Sequence, residues 1–177
     1  MILTPGRRKL ALTAHVVSSV GWLGAVAVFL ALAVASLTSN DAETVRAAYL
    51  MMDWADWYVL IPLSFASLLT GLVQALGTAW GLFRHYWVLA KLLINLFATI
   101  VLLFYTQTLA TLGDMASETT PSSDGLGVLR SPSPLLHAGA ALLLLVVATV
   151  LAVYKPRGRT RYGRRALSRA RAPASPP

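Results

Sequence analysis

His15 and Lys91 stand out in this 177-residue chain, an imidazole and an amine set within apolar runs long enough to cross a bilayer. An ionisable side chain in hydrocarbon costs at least ~2.5 kcal/mol on insertion scales, so such groups mark a functional site by default. The imidazole can ligate a metal through either ring nitrogen. The amine can act as a base or pair with a carboxylate. Each also has a plainer use. Lys91 could reach the headgroups along its own stem, and His15 could be a neutral histidine bonded to a neighbouring helix.

The elements that must hold these residues follow from composition. With 56% hydrophobic and 12% charged residues, the chain is far from the ~25% charge of soluble domains. Four stretches reach the roughly 20 residues needed to span lipid: residues 10–36, 58–80, 86–109 and 135–154. Helices satisfy their own backbone groups in a membrane, so the expected fold is an all-α bundle of four transmembrane helices. The first run is longer than the ~7–15 residues of a signal-peptide core and is read as a retained helix. Without cysteine, disulfides, iron–sulfur clusters and thiolate metal sites are excluded.

Charge sets the orientation. Twelve of the fifteen Lys and Arg lie before the first helix, in the turn at Arg84 or after the fourth helix, while all seven acidic residues fall on the opposite side. The positive-inside rule places both termini in the cytoplasm of a multi-pass cell-membrane protein. Residues 1–155 read as the membrane domain and 156–177 as a basic, disordered cytoplasmic tail able to hold anionic lipid. Outside, residues 41–57 suggest an amphipathic helix capped by Ser39 or Asn40 and bent near Pro62. The outer segment 110–134 reads as a connection with a flexible Ser, Thr, Pro and Gly-rich stretch from Glu118 to Ser133.

Trp54, Trp57 and Tyr58 outside, and Trp80, Tyr86, Trp87 and Tyr154 inside, fit interfacial belts. Gly21 and Ala25 have the spacing of a close helix contact. At ~1.5 Å per residue, His15, Gln74, Lys91 and Thr149 each sit five or six residues from the inner boundary, so four helices contribute to one polar layer. Lys91 and Asn95 share a stripe, as do Ser67, Gly71 and Gln74, and His15, Ser19 and Trp22. Whether these stripes face one another is open at this level, and Gln74, Asn95 and Thr149 also suit ordinary interhelical hydrogen bonds.

A single axial histidine within apolar side chains can hold haem, whereas a closed zinc site needs about four ligands. No carboxylate lies near His15 in its helix. His15 would then be the iron ligand, Trp22 and Gln74 would lie around the group, and Arg84, His85, Arg7 or Arg8 could meet its propionates. His85 could also serve as a second axial ligand if its ring turned inward. His137 is expected near the outer leaflet, too distant in depth to share an iron with His15. It is either an interfacial structural histidine or part of an outer metal site with Asp53, Asp56, Met51 or Met52.

His15 and Trp22-Leu23-Gly24 on the first helix, Trp87-Val88-Leu89-Ala90-Lys91-Leu92 on the third, and Val153-Tyr154-Lys155-Pro156 closing the fourth resemble the membrane-embedded haem-b protoporphyrinogen IX oxidase family. They are similar also to copper-resistance D-type membrane proteins. The run Gly77-Thr78-Ala79-Trp80-Gly81-Leu82-Phe83-Arg84-His85-Tyr86-Trp87 resembles a related, uncharacterised family of four-helix integral membrane proteins. The resemblance spans four helices and rests on few positions. It implies haem b on His15, an essential Lys91, and an apolar substrate such as a porphyrinogen or quinone entering from lipid. Where oxidases carry two further histidines on the third helix, this chain has Leu89 and, approximately, Tyr105, and the polar residues opening their fourth helix are absent, with His137 nearby. Haem binding is thus implied more strongly than oxidase activity.

Two other classes compete. A non-enzymatic scaffold or assembly protein would use the polar layer only to join helices, and a homo-oligomer is compatible with it. Copper or small-solute transport is a third and weaker reading, since inverted repeats and a Met/His pathway are lacking. The basic tail has no folded module that would read a specific nucleic acid.

Overall fold

The computed structural model of the protein describes residues 3–77, 81–118 and 127–164. Its main helices are α1 (Pro5–Thr38), α2 (Ala42–Ala55), α3 (Ile61–Gly77), α4 (Tyr86–Ser117) and α5 (Ser133–Tyr154), and a π-helical turn, Asp56–Leu60, joins α2 to α3. Four helical stretches, Pro5–Thr38, Ala42–Gly77, Tyr86–Ser117 and Gly127–Tyr154, are long and apolar enough to cross a membrane. The fold is therefore the expected all-α bundle with four spanning helices. Large side chains such as Leu10, Val17, Phe104 and Val153 face outward, an apolar exterior that suits lipid and would be a liability in water.

Both α1 and α4 pack against α2, α3 and α5. The order round the bundle is thus α1, α3, α4, α5, each antiparallel to its neighbours. At Gly21 an added Cβ would stand 3.5 Å from the Leu63 side chain, an ordinary contact distance, so α1 and α3 lie against each other here.

The end with the long connections differs from expectation. A helical α4 continues to Ser117, well past the expected boundary at 109, and its 32 residues measure about 48 Å at the helical rise. That exceeds the ~30 Å hydrocarbon core, so one end projects and packs against α2. Val45, Tyr49, Met52, Leu109 and Leu129 are fully buried there. Gly113 permits the close approach, since a Cβ on it would meet the Asp53 Cβ at 3.0 Å. The Arg46 Nε donates to the Ala116 carbonyl at 2.8 Å, satisfying an acceptor that the last turn of a helix leaves open.

The start of α2 also needs correction. The cap is Asp41 rather than Ser39 or Asn40: its carboxylate accepts from the backbone N–H groups of Glu43 and Thr44. The expected bend near Pro62 is the π turn, in which the Ile61 N–H donates to the Asp56 carbonyl. Proline has no N–H to give the carbonyl four residues earlier, so the ladder is disturbed here in any case. Buried positions step by four through this region, at Met52, Asp56, Leu60 and Ser64. A regular helix would rotate such a series away from the bundle, and the wider π turn keeps it facing inward.

At the hairpin end, Gly81 takes a left-handed φ of 62°. Contrary to the expected disorder from residue 156, the chain beyond α5 returns across this hairpin. The Tyr86 N–H donates to the Gly158 carbonyl at 3.4 Å and the Thr160 N–H to the Arg84 carbonyl at 3.1 Å, while the Thr160 hydroxyl donates to the Phe83 carbonyl. The expected Trp80 anchor, the centre of the expected outer loop at 119–126 and the tail from 165 lie outside the described residues.

Candidate functional site

His15 projects from α1 onto α3. Its Nδ1 lies 3.1 Å from the Ser67 carbonyl and 3.2 Å from the Thr70 hydroxyl. A carbonyl only accepts, so the bond to Ser67 puts the proton on Nδ1 and leaves Nε2 with its lone pair. Residue 71 has to be small for this. A Cβ on Gly71 would stand 2.9 Å from the His15 Cε1. Around the imidazole, the Ser19 and Ser67 hydroxyls are 2.8 Å apart, and the Ser18 hydroxyl donates to the His15 carbonyl at 3.1 Å. The stripes on α1 and α3, left open by sequence, do face each other.

A cavity of about 370 Å³ opens beside this network, and its polar lining comprises His15, Ser67, Gln74, Lys91 and Asn95 with Arg8 and Lys155. The volume falls within the ~300–1,000 Å³ of ligand sites. Three cationic side chains and no carboxylate line it, and the other walls are mostly Leu, Val and Ala with Trp87. Lys155, closing α5, has a left-handed φ of 44°. Asn95 donates through Nδ2 to the Lys91 carbonyl at 2.9 Å, as their one-turn spacing suggested. The chemistry on offer is recognition of an amphiphile with an apolar body and anionic groups, next to one available imidazole nitrogen.

Not every expected residue gathers here. Thr149 is exposed and its hydroxyl donates to Leu145 within α5, so that helix contributes Ala152, Val153 and Lys155 instead. Arg84 and His85 belong to the hairpin and are outside the cavity lining; His85 pairs with Arg159 in an isolated antiparallel bridge. Trp22 is seven residues along α1 from His15, about 10 Å by the helical rise, and lines a second cavity. His137 is exposed, with Nδ1 2.9 Å from the Ser133 carbonyl and its ring stacked 4.0 Å from that of Tyr105. Among the described residues no three His, Asp or Glu come together as metal ligands. Sequence reasoning passed over Thr70 and Lys155. Thr70 follows Ser67 by three positions and immediately precedes Gly71, a spacing that could have placed it against His15.

The residues fit haem better than a bare ion. A metal-ligating histidine characteristically donates its second ring N–H to a carbonyl or carboxylate, which fixes ring and tautomer, as Ser67 does for His15. The three cations match propionate charge.

Fold and cavity define a small four-helix integral membrane protein with a cationic, apolar-walled site at its hairpin end. No family model, characterised protein or solved structure matches the chain.

Proposed function

We propose that this protein binds haem b at the hairpin-end cavity, where His15 would hold the iron through Nε2 and Lys91, Arg8 and Lys155 would pair with the propionates. The observation that carries the reading is the bond from His15 Nδ1 to the Ser67 carbonyl, because it leaves one oriented nitrogen beside a cavity rich in cations. Bound haem supplies one-electron chemistry. The chain's part is to fix the imidazole, pair the carboxylates and exclude water with apolar walls. A porphyrinogen or quinone reaching the site from lipid is the substrate class in keeping with those walls. With positive charge concentrated at the hairpin end, both termini are cytoplasmic in the cell membrane, and the basic tail meets anionic lipid. The test is absorption of the protein purified from haem-replete cells: a Soret band is expected, strongly reduced in Lys91→Met and absent in His15→Ala. A colourless wild-type preparation defeats the proposal.

A second reading has its own support. The Ser18, Ser19, Ser67 and Thr70 hydroxyls around His15 form the kind of network that joins membrane helices. On that reading the protein is a non-enzymatic scaffold, His15→Ala lowers stability, and haem never copurifies.

A further inference from the structure

At the opposite end of the bundle lies a second cavity of about 210 Å³, lined by Trp22, Phe29, Asp56, Phe97, Tyr105 and His137 among other, mainly apolar, side chains. Trp22 and Asp56 are 2% and 1% exposed, and among the described residues the buried Trp22 Nε1 and Asp56 Oδ2 have no hydrogen-bond partner. Such atoms are rare in folded proteins and call for an explanation. An indole N–H only donates and a carboxylate only accepts, whereas one hydroxyl does both. Four aromatic rings in the lining, those of Trp22, Phe29, Phe97 and Tyr105, suit a flat ring. The volume is below the ~300–1,000 Å³ of sites that enclose a drug-sized ligand, so it takes a single head with any tail lying outside in lipid. The π turn keeps Asp56 on the inward stripe, and such turns are frequent at functional sites.

We propose that this cavity binds the hydroxylated ring of an apolar phenol or quinol, the hydroxyl accepting from Trp22 Nε1 and donating to Asp56. The site is separate from the haem cavity and does not depend on it. The test uses the full-length protein in nanodiscs with 1-naphthol as the probe and 1-methoxynaphthalene, which has the same ring and no O–H, as its comparison. Saturable binding of 1-naphthol is expected, at least about tenfold tighter than the methyl ether, as leaving a buried polar group unpaired predicts. Trp22→Phe and Asp56→Leu, checked for unchanged helicity, should each weaken 1-naphthol about tenfold. A short-chain quinol should displace the probe and dodecanol should not. Binding no greater than in empty nanodiscs, equal binding of the ether, or equal displacement by dodecanol overturns the assignment. The wild-type ligand comparison decides the matter even if the variants fail to fold.

Discussion

The imidazole of His15 is held by contacts on one side of its ring, the Ser67 carbonyl and the Thr70 hydroxyl, and by the missing side chain of Gly71 on another. Glycine in a helix costs ~0.5–1 kcal/mol relative to alanine, and crowding a packed site costs ~1–3 kcal/mol. At Gly71, with His15 only 2.9 Å from an added Cβ, crowding wins. Gly71→Ala should therefore lower Tm in detergent and displace the imidazole. Gly24→Ala, whose Cβ would meet nothing within 4 Å, should leave Tm unchanged or raise it, and the two melts side by side check the sign. The stripes that carry His15 and Ser67 were legible as helix faces, with Gln74 rather than Ser67 expected at the depth of His15. Which hydroxyls the imidazole would meet was not legible, because one-turn spacing fixes a face and leaves the rotation of two helices about each other undetermined. Trp22's separation from His15 was readable, since a shared face is not a shared depth and seven residues of helix span about 10 Å.

Among the elements, the spanning helices were readable because length and hydropathy alone decide them. Their ends were not. Asp41 prevails over Ser39 and Asn40 because its carboxylate accepts from two backbone N–H groups, and also from the Thr44 hydroxyl at 2.6 Å. The extension of α4 to Ser117 was hidden by Gly113 and Asp114, which read as loop until α2 and Arg46 are seen packed against them. The strap over the hairpin rests on backbone bonds that no side-chain pattern announces. At the α2 cap, hydrogen bonds led by that of the Thr44 side chain hold the Asp41 carboxyl below its ordinary 3.8. A depressed carboxyl contributes stability above its unfolded value and loses it as pH falls through the folded one. Hydrogen exchange should show the Glu43 and Thr44 amides protected at neutral pH, losing protection in acid below pH 3.8. In Asp41→Ala that protection should be missing at every pH.

At the scale of the whole molecule, the cavity at the hairpin end and the cavity towards the opposite end differ in charge. Arg8, Lys91 and Lys155 line the hairpin-end site, while the opposite one has Asp56. Among the described residues, the basic side chains of the hairpin and of both flanking segments fall at the same end as the cationic cavity. A fusion of green fluorescent protein after Pro177 should fluoresce and one of alkaline phosphatase should be inactive, the pattern of a cytoplasmic C-terminus; the reverse pattern would invert the proposed orientation. The proposed bond from His15 Nε2 to a haem iron is tested most directly by removing the ring and replacing it in solution. His15→Gly protein, purified from haem-replete cells, should lack the wild-type Soret band and regain it when imidazole and haemin are added. A band unaffected by the substitution, or one that imidazole fails to restore in a folded variant, would contradict it.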